Sequence, residues 1–409
     1  MVITSTMLPR VAMLIIGIMA IRALGMSDYG LFSLALTTGI ILGQFVPDSV
    51  SAYLASSMTK KNNSAEIETR IALQKGYALT IKLTIVVLAV IYVSIMLIQT
   101  FQTNTKLIIC TLILSAAYPI FSISQVTSNI MALKGYETKL SINAILVAVV
   151  QVSACSFLSI IWGVIGLAIG YLLSTVLYAY VTAKIIPTDI KRELIRRVKI
   201  KRILKPTLPK GFSKLMLSLA LGAPTHWVVL QVLGSSENGL FEVGKFSYAY
   251  YFYTLIVIIP SSLQSYTIGK ISTTINEINS KYSAKKIFII SSGLILIFTT
   301  IVGMCLVILN QIMLPFLTSN HSESQFVVVD YSIIAGMIGT TSILISQYLI
   351  ASKKYGIQLY GTLISGSIYI AASTIMILYF NFGAKGAIIG LGFAQLVQST
   401  ILLFSILRK

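Results

Sequence analysis

The sequence predicts an all-α integral membrane protein with twelve transmembrane helices in two pseudo-twofold-related six-helix lobes. Of its 409 residues, 56% are hydrophobic and only 11% are charged, and the hydrophobic residues form long runs. A helix that spans the bilayer needs about 20 mostly apolar residues, so the chain holds enough for about a dozen spans. A repeat between its two halves supports the two lobes. This composition excludes a soluble enzyme.

The predicted spans follow one another with short loops and one longer break. Windows of about 20 residues place them at 3–24, 30–58, 76–98, 107–132, 142–161, 163–186, 212–233, 239–265, 287–309, 326–351, 356–380 and 386–407. The break is strongly basic, with ten Lys or Arg between 184 and 210. We therefore predict an N-terminal lobe at 1–186, a basic cytoplasmic linker at 187–211 and a C-terminal lobe at 212–409. The first apolar run lacks a basic start and a cleavage site, so it is predicted to be a retained span.

Basic residues set the predicted orientation. The chain has 31 Lys and Arg against 12 Asp and Glu, a net charge of +19. On alternating loops, 24 of these bases fall on one membrane face and only Lys106 and Lys385 on the other. Loops rich in Lys and Arg stay in the cytoplasm, so both termini are predicted to be cytoplasmic. Because the bases are spread over separate loops, nucleic-acid binding is not indicated.

Four short motifs recur in the two halves in the same order, at offsets that grow from 209 to 220. The pairs are Leu24-Gly-Met-Ser-Asp-Tyr-Gly-Leu-Phe32 with Leu233-Gly-Ser-Ser-Glu-Asn-Gly-Leu-Phe241, Pro47-Asp-Ser with Pro260-Ser-Ser, Ala132-Leu-Lys-Gly-Tyr136 with Ala351-Ser-Lys-Lys-Tyr355, and Gly163-Val-Ile-Gly166 with Gly383-Ala-Lys-Gly386. Six spans per half make both halves enter the membrane in the same sense. The halves should therefore be related by an axis along the membrane normal, with a cleft between them.

Ionisable residues inside spans are the candidates for function. Each costs about 2.5–3.5 kcal/mol at a helix centre, so it usually faces a cavity or a partner. The candidate substrate-binding residues are Arg10, Arg22, Lys214 and Lys245. Arg10 lies deep in its span, which favours the cavity. Arg22 and Lys214 lie near span ends, where snorkelling to the interface is the alternative.

The candidate ion-coupling residues are Asp48, Glu242 and His226. Asp48 follows Pro47, whose ring kinks a helix, so its carboxylate could bind a proton or cation, or could cap the restarting helix. Glu242 and Lys245 are three residues apart on one helical face and could neutralise each other. His226 could carry a proton or simply pack in the interior.

Enzyme motifs are not supported. Gly239-Leu-Phe-Glu-Val-Gly-Lys245 fits the first seven positions of a phosphate-binding loop, but Phe246 replaces the required hydroxyl residue and the segment lies in a span. The three cysteines and two histidines have no metal-binding spacing. We therefore predict a chain that is not an enzyme and has no cofactor or metal.

The junctions Arg22-Ala-Leu-Gly25, Tyr29-Gly-Leu-Phe32, Leu133-Lys-Gly-Tyr136 and Gly163 to Gly170, together with the six-plus-six plan, resemble the polysaccharide (Wzx-type, O-antigen) flippases of the multidrug/oligosaccharidyl-lipid/polysaccharide exporter superfamily. The resemblance implies a V-shaped, MATE-like transporter with cavity walls from spans 1, 2, 7 and 8, in the bacterial inner membrane. It implies transport of an undecaprenyl-diphosphate-linked oligosaccharide, such as an O-antigen or related surface repeat unit, with H⁺ or Na⁺ as coupling ion. Membrane lipids, a polysaccharide polymerase and chain-length machinery are the further partners it suggests.

Two other functions remain open at this point. A multidrug/cation antiporter of the same superfamily would need acidic, aromatic cavity walls, whereas bases outnumber acids on the cavity spans. A membrane glycosyltransferase or polymerase would ordinarily carry acidic catalytic residues on large loops, and the longest predicted outer loop, at 310–325, is small.

Overall fold

The computed structural model describes residues 2–40, 104–133, 135–187, 212–276, 284–317 and 327–407. These residues form helices α1 Val2–Leu24, α2 Met26–Ile40, α3 Thr105–Leu133, α4 Glu137–Ile185, α5 Phe212–Ala220, α6 Gly222–Gly234, α7 Gly239–Ser262, α8 Gln264–Asn276, α9 Ala284–Leu317, α10 Val327–Ala351, α11 Tyr355–Leu378 and α12 Gly383–Leu407. Within these ranges, nine helical stretches are long and apolar enough to cross a bilayer. The predicted all-α membrane fold is confirmed. The span at 76–98, most of the span at 30–58 and the linker from 188 lie outside the described residues.

The spans predicted at 142–161 and 163–186 are the two arms of α4, joined by a single residue. Gly163 has φ 62° and ψ −141°, a non-helical conformation inside the helical run. Glycine reaches such a conformation readily because it has no Cβ. The chain therefore reverses direction across the membrane without a loop.

The span predicted at 212–233 is not continuous. It breaks at Leu221 into α5 and α6. Pro224 explains the break, since it has no N–H and its ring clashes with the carbonyl four residues earlier, at Ala220. The span predicted at 239–265 likewise ends at Ser262, two residues after Pro260, and the chain continues as α8.

The internal repeat is visible in buried contacts. In the N-terminal half, the Cys155 thiol lies 3.8 Å from the Leu167 carbonyl oxygen. In the C-terminal half, the Ser373 hydroxyl donates to the Ala387 carbonyl oxygen at 3.3 Å. Gly170 and Gly390 pack against the backbone of Cys155 and Ser373, respectively. The same helix crossing has thus been kept in both halves, with sulfur replaced by oxygen.

The two halves meet where α2 crosses α7. Gly30 packs directly on the α7 backbone, and Gly244 packs on the Met26 carbonyl oxygen, so that a Cβ at either glycine would overlap backbone atoms. Further along α2, Thr38 Oγ1 accepts a 3.1 Å hydrogen bond from the indole N–H of Trp227 on α6. Large buried rings fill the surrounding core, namely Tyr29, Phe32, Phe246 and Phe252.

Candidate substrate-binding site between the lobes

Arg10 lies on α1 at the junction of the two halves. It is partly buried and within electrostatic range of four tyrosines, of which Tyr118 and Tyr171 belong to α3 and α4 and Tyr250 and Tyr251 to α7. At 1.5 Å per residue, Arg10 is about 21 Å from the end of α1, and Tyr250 is about 17 Å from the start of α7. The cation therefore lies within the apolar span Met7–Leu24 and near side chains of both halves.

His226 belongs to a row of neighbouring aromatic rings on the C-terminal side of the same junction. Its ring centroid lies 4.3 Å from that of Tyr250, 5.3 Å from Phe246 and 6.4 Å from Tyr369. The Tyr369 hydroxyl is 3.4 Å from His226 Nδ1, and Tyr250 stacks on Tyr253 at 5.1 Å. We call these five residues the aromatic row. Tyr250 is the neighbour that Arg10 and His226 share.

Glu242 and Lys245 form an ion pair closer to the start of α7. Lys245 Nζ is 2.7 Å from Glu242 Oε1, and it also lies 4.7 Å from the centre of the Phe241 ring. The second carboxylate oxygen, Oε2, accepts the backbone N–H of Ala384 at 2.7 Å, at the start of α12. A carboxylate at a helix N-terminus is favourable because the helix dipole is positive there. This geometry supports the structural alternative for the pair.

The remaining candidates lie apart from Arg10. Arg22 is exposed in the last turn of α1, about 18 Å along that helix from Arg10. Lys214 is exposed on α5, with its ammonium group beside Gly356 in the first turn of α11. Asp48 lies outside the described residues. The structure thus brings together Arg10 and His226 around Tyr250, and the functional roles of all seven candidates stay predictions.

Sequence reasoning missed the tyrosines. One pattern in the sequence could have indicated them. The segment 248–253 contains five aromatic residues out of six, and it lies on a span already proposed to line the cavity. Tyr118, Tyr171 and Tyr369 had no comparable local pattern. The approach of Tyr118 and Tyr171 to Arg10, and of Tyr369 to His226, depends on how α3, α4 and α11 pack, which the local sequence does not encode.

Comparison with known proteins identifies the class of fold. The chain matches no protein-family profile. It is 22% identical over 397 residues to the EPS I polysaccharide export inner membrane protein EpsE of Ralstonia solanacearum, covering 92% of this chain and 85% of that protein.

Two solved structures of the MOP superfamily cover nearly the whole chain. One is a Pyrococcus furiosus transporter described as having a binding pocket of reverse polarity that suggests a different function. Its TM-score is 0.75 at 14% identity, and the match covers 100% of this chain and 93% of that transporter. The other is an inward-facing multidrug resistance MATE family transporter, with a TM-score of 0.72 at 13% identity, covering 98% and 94%. The two-lobe MATE-like fold and the likeness to polysaccharide exporters are confirmed. Together they support a multi-pass membrane transporter.

Proposed function

We propose that the chain is a flippase that moves an undecaprenyl-diphosphate-linked oligosaccharide across the bacterial inner membrane. The observation that carries this proposal is the position of Arg10, a cation inside an apolar span and near tyrosines of both halves. The similarity to a polysaccharide export protein supports it.

Arg10 suits the diphosphate. Removing an anion from water into a low-dielectric cleft is very unfavourable unless the anion is paired and hydrogen-bonded. The guanidinium group offers a planar fork of donors that matches phosphate oxygens, and such charge-assisted hydrogen bonds are about twice as strong as neutral ones. The surrounding tyrosines add hydroxyl groups that can bind phosphate or sugar oxygens.

The aromatic row suits the glycan. Tyrosine and histidine rings combine flat apolar faces with a polar edge, and a sugar likewise presents apolar C–H faces and hydroxyl groups. Because Arg10 and His226 both lie near Tyr250, the diphosphate and the adjoining sugar would contact neighbouring parts of one site.

Movement of the cargo would follow alternating access between the two halves. With the predicted orientation, the tight α2–α7 crossing closes the outer end, so the cleft would open towards the cytoplasm, where the lipid-linked sugar is made. Ion exchange would reopen the crossing. Asp48 and His226 are the groups we propose for ion coupling, whereas the contacts of Glu242 favour a structural role.

The second candidate is an organic-cation antiporter. The aromatic row favours it, because cations bind the faces of aromatic rings. The charge of Arg10 opposes it, since a cation bound at Tyr250 would be repelled. The two functions therefore make opposite predictions for removal of this arginine.

Substitution of Arg10 separates them. In a flippase-deficient strain, Arg10→Ala should lower surface glycan by tenfold or more, roughly the loss expected for a hydrogen bond to a charged group. Arg10→Lys should restore it in part, because the charge remains while the fork is lost. The matched control is Lys106→Ala at an exposed lysine, which should leave the glycan unchanged. Immunoblotting checks membrane levels, and full glycan with Arg10→Ala would refute the proposed role. Faster export of a cationic dye by that variant would favour the antiporter.

A further inference from the structure

We propose that the N-terminal half holds an anionic phospholipid in a groove at the end of α4. This lysine groove has a volume of about 670 Å³ and is lined by Tyr136, Lys139 and Ile142 at the start of α4 and by Lys184 and Ile185 at its end. The proposal does not depend on the transported substrate. It lies on the membrane face predicted to be cytoplasmic.

The headgroup end of the groove is cationic. Lys139 Nζ lies 5.6 Å from the centre of the Tyr136 ring, and Lys184 Nζ lies 4.8 Å from that of Tyr180. Both lysines are exposed. Among the described side chains that line the groove there are two lysines and no carboxylate. A phosphate between the two ammonium groups would be held by charge-assisted hydrogen bonds.

The groove continues into an apolar surface. The two arms of α4 are joined at this level by a 3.0 Å hydrogen bond from Asn143 Nδ2 to Thr182 Oγ1. Above it, Ile142 is 62% exposed, Val149 61% and Val176 45%. The lysines would therefore lie at the level of the phosphate of a phospholipid, the aromatic rings at the membrane interface, and the aliphatic side chains beside the acyl chains.

Duplication of the halves does not explain the lysines. The repeated motif that ends at Tyr136 and at Tyr355 aligns Lys139 with Gln358. Gly163 and Gly383 likewise align Lys184 with Phe404. The C-terminal half therefore makes the same helix pair with two uncharged residues, so helix packing does not require the charges.

We favour a resident phospholipid over the transported lipid as the occupant. The exposed side chains Ile142, Val149 and Val176 face the surroundings of the half, whereas Tyr171 on the same helix is near Arg10 at the junction. The lysine groove thus opens to the bilayer rather than to the cleft. Each basic residue near an anionic membrane surface strengthens binding by about fivefold.

Titration of the purified protein with phosphatidylglycerol, followed by native mass spectrometry, tests the proposal. The Lys139→Gln/Lys184→Gln variant should bind this lipid about 25-fold more weakly than the parent chain, and Lys184→Gln alone about fivefold more weakly. The matched control is Lys353→Gln/Lys354→Gln, two lysines in the equivalent turn of the C-terminal half, which should bind as the parent does. Phosphatidylcholine should bind all of them alike. Thermal unfolding verifies that each variant is folded.

Equal binding of phosphatidylglycerol by the groove variant and its parent would overturn the site. An equal loss in the control would also overturn it, because binding would then follow total charge. A third measurement identifies which lipid carries the bound phosphate. The lipids that copurify with the parent chain are compared with those that copurify with the Lys139→Gln/Lys184→Gln variant. Loss of a phospholipid supports the proposal, and loss of a polyprenyl diphosphate contradicts it.

Discussion

Glu242 and Arg10 are both charged inside a span, but their surroundings differ. Glu242 has Lys245 at one oxygen and the Ala384 N–H at the other, so its charge is balanced within the protein. Arg10 lies near four tyrosines instead, and no carboxylate among the described residues is paired with it, so we propose that its charge is used to bind a ligand. The same rule, that a charge in the membrane needs a partner, thus leads to a structural role in one case and to a binding role in the other.

The Glu242–Lys245 pair can be tested by comparing single and double substitutions. Lys245→Ala alone should lower the free energy of unfolding by about 1–3 kcal/mol, because it leaves a largely buried carboxylate without its cation. Adding Glu242→Gln should recover most of this loss, since the amide oxygen still accepts the Ala384 N–H. Thermal unfolding in detergent measures both, and surface glycan reports transport. Stable double-substituted protein that still fails to transport would instead give the pair a role in transport, with Lys245 at the substrate or Glu242 in ion coupling.

Local chemistry determines where helices exist but not how they meet. The spans were predictable because crossing a bilayer demands long apolar runs. The break at Leu221 was missed, since the apolar window continues through it and only Pro224 marks it. The convergence of Tyr118, Tyr171 and Tyr250 on Arg10 was missed as well, because it arises from packing between helices distant in sequence. Arg10 and His226 could be singled out because an ionisable side chain in a span is unusual even without knowledge of its neighbours.

The α2–α7 crossing depends on two glycines. Gly30→Ala or Gly244→Ala should separate the two helices, because the added Cβ would overlap backbone of the facing helix, at a cost of about 1–3 kcal/mol. Gly293→Ala is the matched control, since nothing lies within 4 Å of its Cβ position. In a Cys305→Ser background, a cysteine at buried Leu34 should react faster with a hydrophilic maleimide in the first two variants. Unchanged reactivity would mean that this crossing does not close the cleft.

The transport direction follows from the orientation of the whole chain. If each half crosses the membrane six times, both halves enter the membrane in the same direction. The two termini and the basic linker at 187–211 then all lie on one side of the membrane. The structure is compatible with this arrangement, as the turns before α4 and α11 occupy equivalent places in the two halves. The distribution of Lys and Arg predicts that this side is the cytoplasmic one.

Reporter fusions test this orientation directly. Fusions after Arg197, in the linker, and after Lys409 should be active only with a reporter that works in the cytoplasm, because 24 of the 31 bases are predicted to lie on that face. A fusion after Ser235, in the turn between α6 and α7, should be active only with a reporter that works outside. Lys→Gln changes at the turn lysines Lys353 and Lys354 should leave all three results unchanged, since the other 22 bases assigned to that face remain. An outer location for Arg197 or Lys409 would contradict the parallel arrangement of the two halves, and it would place the closed α2–α7 crossing on the cytoplasmic side.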